Sequence, residues 1–224
     1  MLPLGDDNSQ RRIVPWVTYA LIIVNIIVYY FEITSPDPVR FVYQWGTVPA
    51  QIAQGKGLVT LFTSMFLHDP SNWLHIGGNM LFLWIFGDNV EDAFGHGLYL
   101  IFYLLCGVAA SVAQVLVNTS ADAPGVGASG AIAGVLGAYI LMYGTNRVRV
   151  LVGYFLVSVP AFVMIGLWIA LQLFSGFGTI TSGATDNVAY FAHIGGFFVG
   201  LVLAMIMRGM ARKPDPLATR AVRR

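Results

Sequence analysis

The sequence predicts an all-α membrane protein: a bundle of six transmembrane helices with a long, partly interfacial first external loop. Three observations predict it. The 224 residues are 57% hydrophobic and 10% charged, with a mean hydropathy of +0.71, far more apolar than a soluble domain. Apolar runs of roughly the length that crosses a ~30 Å hydrocarbon core recur along the chain. The basic residues collect on one side of the resulting arrangement.

Residues 1–12 are polar and read as a loose leader to the first span, about Pro15 to Phe31, with Trp16, Tyr29 and Tyr30 suited to the interfaces and Asn25 as its one conspicuous polar residue. Glu32, Pro36 and Pro38 follow without a small-residue cleavage site, so the span is read as retained rather than as a signal peptide. The connection from Ile33 to about Trp73 holds an apolar piece, Leu58 to Leu67, too short to span and better suited to an interfacial or re-entrant position. A second span, Leu74 to Val90, carries His75, Gly77, Gly78, Asn79 and Asp88; a third runs from Gly97 to Val117, and a fourth from Gly127 to Tyr143. A fifth is expected from Val150 to Phe174, kinked at Pro160. A polar loop, Ser175 to Asn187, leads to the sixth, Ala189 to Met207, and residues 209–224 form a basic tail. Three regions result: a cytoplasmic N-terminus over 1–12, one membrane domain over 13–208 and a cytoplasmic tail over 209–224.

Six spans put both termini on one side. With that side cytoplasmic, ten of the twelve basic residues are cytoplasmic and only Arg40 and Lys56 are external. The expected location is a cell membrane. A net charge of +1 argues against nucleic acid as a partner, and the single cysteine, Cys106, allows neither an intrachain disulfide nor a multi-cysteine metal site. No zinc-protease helix motif, intraspan aspartate pair or phosphate loop occurs, and no metal or cofactor is expected.

In this topology the second, fourth and sixth spans all begin at the outer side, and each carries polar residues in its first turns: His75 and Asn79, Ser129, and His193. Polar groups at membrane depth are costly and propose a site. Ser129 stands where a glycine-rich loop enters an apolar helix, so the first unpaired N–H groups of that helix lie beside its hydroxyl. Gly130, Gly134 and Ala138 recur every four residues, and Gly196 and Gly200 do the same, so the fourth and sixth spans can approach closely enough to bring His193 toward Ser129. Imidazole has a pKa suited to accepting a serine proton. Asp122 and Asp186 lie in loops, which leaves a Ser–His dyad with His193 oriented by a backbone carbonyl, Tyr190 or water. His75 and Asn79, four apart, share a helix face. They either donate to an oxyanion together with the Ser129 N–H or bond the Ile33–Trp73 connection.

These motifs, His75-x-x-x-Asn79, Gly127-Ala128-Ser129-Gly130 and Ala192-His193-Ile194-Gly195-Gly196 with Gly200, resemble those of the rhomboid intramembrane serine proteases over roughly residues 13–208. The resemblance implies Ser129 as nucleophile, His193 as base, His75 and Asn79 as oxyanion contributors and Gly127 as the residue shaping the approach to the serine. It also implies cleavage of transmembrane protein segments near the outer face, in lipid. Two positions depart from the family pattern. Val59-Thr60 stands where a Trp-Arg pair often anchors the first loop, and Ala133 stands where an aromatic often stacks on the histidine. The competing reading is a non-catalytic relative that binds client transmembrane helices; a transporter, which would need inverted halves or broken helices, comes third.

Overall fold

The computed structural model describes residues 2–9, 11–182 and 189–209. A short strand β1 (Leu2–Gly5) precedes α1 (Trp16–Thr34). The connection after it folds into α2 (Pro38–Trp45), α3 (Pro49–Ala53), α4 (Thr60–Thr63) and a 3-10 turn at Ser64–Phe66. There follow α5 (Trp73–Phe94), α6 (His96–Val117), α7 (Ser129–Tyr143), a hairpin of β2 (Arg147–Val152) and β3 (Phe155–Pro160), then α8 (Ala161–Ser182) and α9 (Tyr190–Met207). Among the described residues four helices, α1, α6, α8 and α9, are long and apolar enough to cross a membrane. The other two expected spans differ from them: α5 has 22 residues but carries Asp88, Glu91 and Asp92 in its last turns, and α7 is apolar but only 15 residues long.

Four expectations are corrected. The fifth span does not begin at Val150, because residues 147–160 form the hairpin. Arg147 to Val150 alternates exposed and buried, the period of a strand rather than a helix, and a two-residue turn starting at Gly153 with φ +60° reverses the chain. Pro160 ends β3 ahead of α8 instead of kinking a helix, and α8 runs on to Ser182, through part of the loop expected from Ser175. The leader is not loose: β1 pairs antiparallel with β2 and completes a three-stranded sheet. The rest of that loop, 183–188, and the basic tail beyond Gly209 lie outside the described residues.

The core is built around α7, whose residues Gly130 to Tyr139 are all buried. Glycine makes this possible. A Cβ on Gly200 would overlap the backbone of Gly134, one on Gly196 the carbonyl of Gly130, and one on Gly137 the carbonyl of Phe197, so α7 and α9 pack backbone against backbone. The small-residue face of α7 thus includes Gly137 besides Gly130 and Gly134, and Ala138 beside it is fully buried. Next to Gly196 on α9, Gly195 fits against Ala113 of α6.

At the end of the bundle away from Ser129, the acidic residues of α5 hold the N-terminal segment. α1 has no side-chain cap of its own, and the N–H groups of Val17 and Thr18 in its first turn donate to Glu91 at 2.9 and 2.7 Å. The N–H groups of Arg12 and Ile13 donate to Asp92, and Arg11 pairs with Asp88 at 2.7 Å. Asp6 accepts from Asn89 and from the Tyr139 hydroxyl, both at 2.6 Å; burial pushes its carboxyl up to about 6 although the Tyr139 bond opposes the shift.

Candidate active site

The Ser129 end is assembled by the connection between α1 and α5. Thr47 and Gly125 exchange both backbone hydrogen bonds, at 3.0 and 2.7 Å, and Gly127 donates its N–H to the carbonyl of Ser64 at 3.0 Å. The Thr47 hydroxyl reaches Ser64 Oγ at 2.9 Å. The loop leading into α7 is therefore pinned across a stretch adjoining Val59 and Thr60, by backbone pairing and small hydroxyls rather than by a Trp-Arg pair.

Ser129 is the first residue of α7, and its Oγ lies 2.7 Å from Nε2 of His193 on α9. The other ring nitrogen, Nδ1, lies 2.7 Å from Oε1 of Gln172 on α8. An amide oxygen only accepts, so Nδ1 carries the proton and Nε2 presents a lone pair to the serine hydroxyl. Against the backbone carbonyl, Tyr190 or water expected beside His193, the group the structure puts at Nδ1 is the Gln172 amide oxygen. One turn earlier on the same helix, Trp168 lies against the His193 ring at 5.8 Å between centroids and 39° between planes. Ala133, which stands where the family's aromatic was expected, is fully buried, and the ring beside His193 comes from α8 instead. A signal for Gln172 was available: it is an amide in an otherwise apolar run, Ile165 to Phe174, interrupted also only by Gly166. The start of α9 is fixed by a second amide, Gln114 of α6, whose oxygen accepts from the Ala192 N–H at 3.2 Å.

His75 and Asn79 come from the first turns of α5, which Asn72 caps through its side chain. Nδ1 of His75 accepts the N–H of Asp69 at 3.2 Å, which leaves the proton on Nε2. That nitrogen faces Gly127: a Cβ built there would sit 2.9 Å from it and 3.5 Å from Ser129 Oγ. Gly127 also has φ +129°, where a side chain is strained, so glycine keeps open a gap between the His75 donor and the serine oxygen. One His75 nitrogen thus holds the connection, and the other faces the gap. Asn79 is buried, and its Nδ2 makes no hydrogen bond. Behind His75 lies fully buried His68, its ring 5.1 Å away, with neither nitrogen bonded; burial first, then the neighbouring His75, hold it at about 3, so it is neutral. Its backbone N–H donates at 3.1 Å to the carboxylate of Glu32, which is also fully buried. His96 is at the far end, against Glu91.

The arrangement holds a hydroxyl whose proton has an acceptor, an acceptor whose tautomer is set, and unused donors around a gap beside the oxygen. Comparison with known proteins adds to this. Residues 55–210 match the family model described as Rhomboid domain. The chain is 30% identical over 213 residues to Rhomboid-like protein 11, chloroplastic, of Arabidopsis thaliana, an alignment covering 92% of this chain and 70% of that protein. It is 31% identical over 198 residues to Rhomboid protease GluP of Bacillus subtilis (87% of this chain, 36% of that protein). It is 26% identical over 194 residues to Rhomboid protein 1, mitochondrial, of Saccharomyces cerevisiae (83% and 51%). The chain thus spans about a third and about half of the latter two. Two of these names place their bearers in organelles, so the cell membrane expected from the sequence has no support from them.

Proposed function

The chain belongs to the rhomboid family, and from that premise we propose that it is an intramembrane serine endopeptidase cutting transmembrane segments of membrane proteins near the outer face. The observation that carries the reading is the 2.7 Å contact between Ser129 Oγ and His193 Nε2 across two helices that meet through glycine. Ser129 attacks the scissile carbonyl, and His193 takes its proton and returns it to the leaving amine. Water then cleaves the acyl-enzyme by the same route. The anionic oxygen of the tetrahedral intermediate occupies the gap that Gly127 leaves open, with Nε2–H of His75, the Asn79 amide and the first N–H of α7 as donors. A transmembrane helix satisfies its own backbone, so substrates with Gly, Pro or polar residues near the cut unwind most readily. Six crossings, of which α5 and α7 are two, and cytoplasmic termini complete the reading, in a lipid bilayer and without a cofactor.

The experiment is fluorophosphonate labelling of the detergent-solubilised full chain, paired with a comparison of cleaved membrane proteins in cells expressing wild type or Ser129→Ala. Labelling at Ser129 that disappears in folded His193→Ala, together with fragments missing from the Ser129→Ala cells, is the expected result. A folded wild type that takes no label and produces no fragments is a client-binding protein instead.

A further inference from the structure

Most of the machinery just described lies on α5, α7 and α9. Yet α8, which packs chiefly against α9, places two consecutive turns on His193, with Gln172 on Nδ1 and Trp168 on the ring. Among the described residues, His193 is bonded to two neutral groups, the Gln172 amide and the Ser129 hydroxyl. We infer that Gln172 is the positioning residue of the dyad: its amide oxygen holds the proton on Nδ1 and aims the Nε2 lone pair at Ser129. The inference rests on the proteolytic reading above. A neutral imidazole carries one proton on either nitrogen, and only the Nδ1–H form can receive the serine proton at Nε2. In the Ser–His–Asp triad, turning the third member into an amide that favours the wrong tautomer costs about 10⁴ in kcat, a measure of how much this choice controls. Here the amide presents its oxygen, the correct polarity, and lacks the charge that would stabilise the imidazolium once the proton has moved. The Trp168 ring restricts rotation about χ2 of His193 without supplying polarity, so the choice of tautomer falls to Gln172.

The test measures the rate of fluorophosphonate labelling of Ser129 against pH for wild type, Gln172→Met and Gln172→Glu, as full chains in detergent. Gln172→Met keeps length and apolar packing but has no strong acceptor, and is expected to label about tenfold more slowly at neutral pH, the order of one lost hydrogen bond. Gln172→Glu restores the acceptor with a charge. A carboxylate favours the imidazolium, so the base form of His193 is lost at a higher pH, and the acidic limb of the profile is expected to move up by about one unit. A residue that merely ties α8 to α9 would not move that limb. Wild-type labelling in Gln172→Met, or an unshifted limb in Gln172→Glu, overturns the inference. If Gln172→Met fails to fold, the Gln172→Glu limb decides, because its position does not depend on how much protein is active. No label on wild-type Ser129 overturns the proteolytic reading and this inference with it, whereas normal wild-type labelling with insensitive variants overturns the role of Gln172 alone.

Discussion

At the scale of single residues, the site keeps polar groups in states that folding alone would not choose. The Nδ2 of Asn79 is buried and unbonded, a cost of roughly 1–3 kcal/mol for such a donor. Gly127 holds a backbone conformation that keeps a gap open. Both make sense if an anion occupies that gap only in the transition state, where donors raise kcat without improving substrate binding. Asn79→Ala is therefore expected to lower kcat by up to about 10²–10³ against a transmembrane substrate, with little change in KM. Its Tm should be unchanged or raised, because the substitution removes an unsatisfied group. A variant with full kcat and a lowered Tm would make Asn79 a packing residue. Ser129, His193, His75 and Asn79 were legible in the sequence because a polar side chain at the start of an apolar helix stands out. Gln172 was not, because a lone amide two turns or more inside a span reads as an interhelical bond until its partner is known. His68 and Glu32 were hidden for a related reason: their burial comes from the folded connection between α1 and α5, which has no periodicity to announce it.

At the scale of elements, the depth of the α7–α9 contact decides whether Ser129 and His193 meet. Glycine spacing predicted that contact, and Gly137, three residues after Gly134, adds a close approach to Phe197 that a strict four-residue repeat does not include. Gly200→Ala would place a methyl in the backbone of Gly134, and the helices would have to part. Overpacking of this kind costs about 1–3 kcal/mol. The expected result is a lower Tm and slower labelling of Ser129 together. Gly166→Ala on α8, where a Cβ meets nothing within 4 Å, is the control that should leave both unchanged or raise the Tm slightly through helix propensity. Equal behaviour of the two variants would show that the α7–α9 approach tolerates a methyl. The hairpin 147–160 escaped notice because its apolar residues merge with those of α8 in any window long enough to find a span. Its period-two alternation, Arg147-Val148-Arg149-Val150, is visible only at short range. β1 was still harder to see, since four residues containing Pro3 acquire strand geometry only from a partner about 145 positions away, the separation of the paired residues themselves.

At the scale of the whole molecule, the sheet supplies an argument about orientation that the charges alone could not. β1 pairs with β2, and Asp6, Arg11 and Arg12 are held at the α5 end that carries Asp88 and Asp92, so the N-terminus and the segment between α7 and α8 lie on one side. Ser129 lies at the other end of α7, as does the loop containing Ser120. Arg11, Arg12, Arg147 and Arg149 thereby fall at one end by structure, and a concentration of basic residues near spans marks a cytoplasmic side. The expectation is concrete. In a Cys106→Ala background, Tyr154→Cys at the fully exposed hairpin turn should react with an impermeant thiol reagent only after the membrane is opened, whereas Ser120→Cys should react in sealed cells. The reverse pattern would turn the molecule over and place Ser129 at the cytoplasmic face. Reaction of both positions from one side would break the crossing scheme itself, because 15-residue α7 separates them and, at about 1.5 Å per residue, is only about 22 Å long. A helix that short crosses a ~30 Å core only if its ends are completed by protein. The Gly125–Ala128 loop, pinned to Thr47 and Ser64, lies at one end of α7 and the sheet at the other, so both ends of the short helix continue into protein.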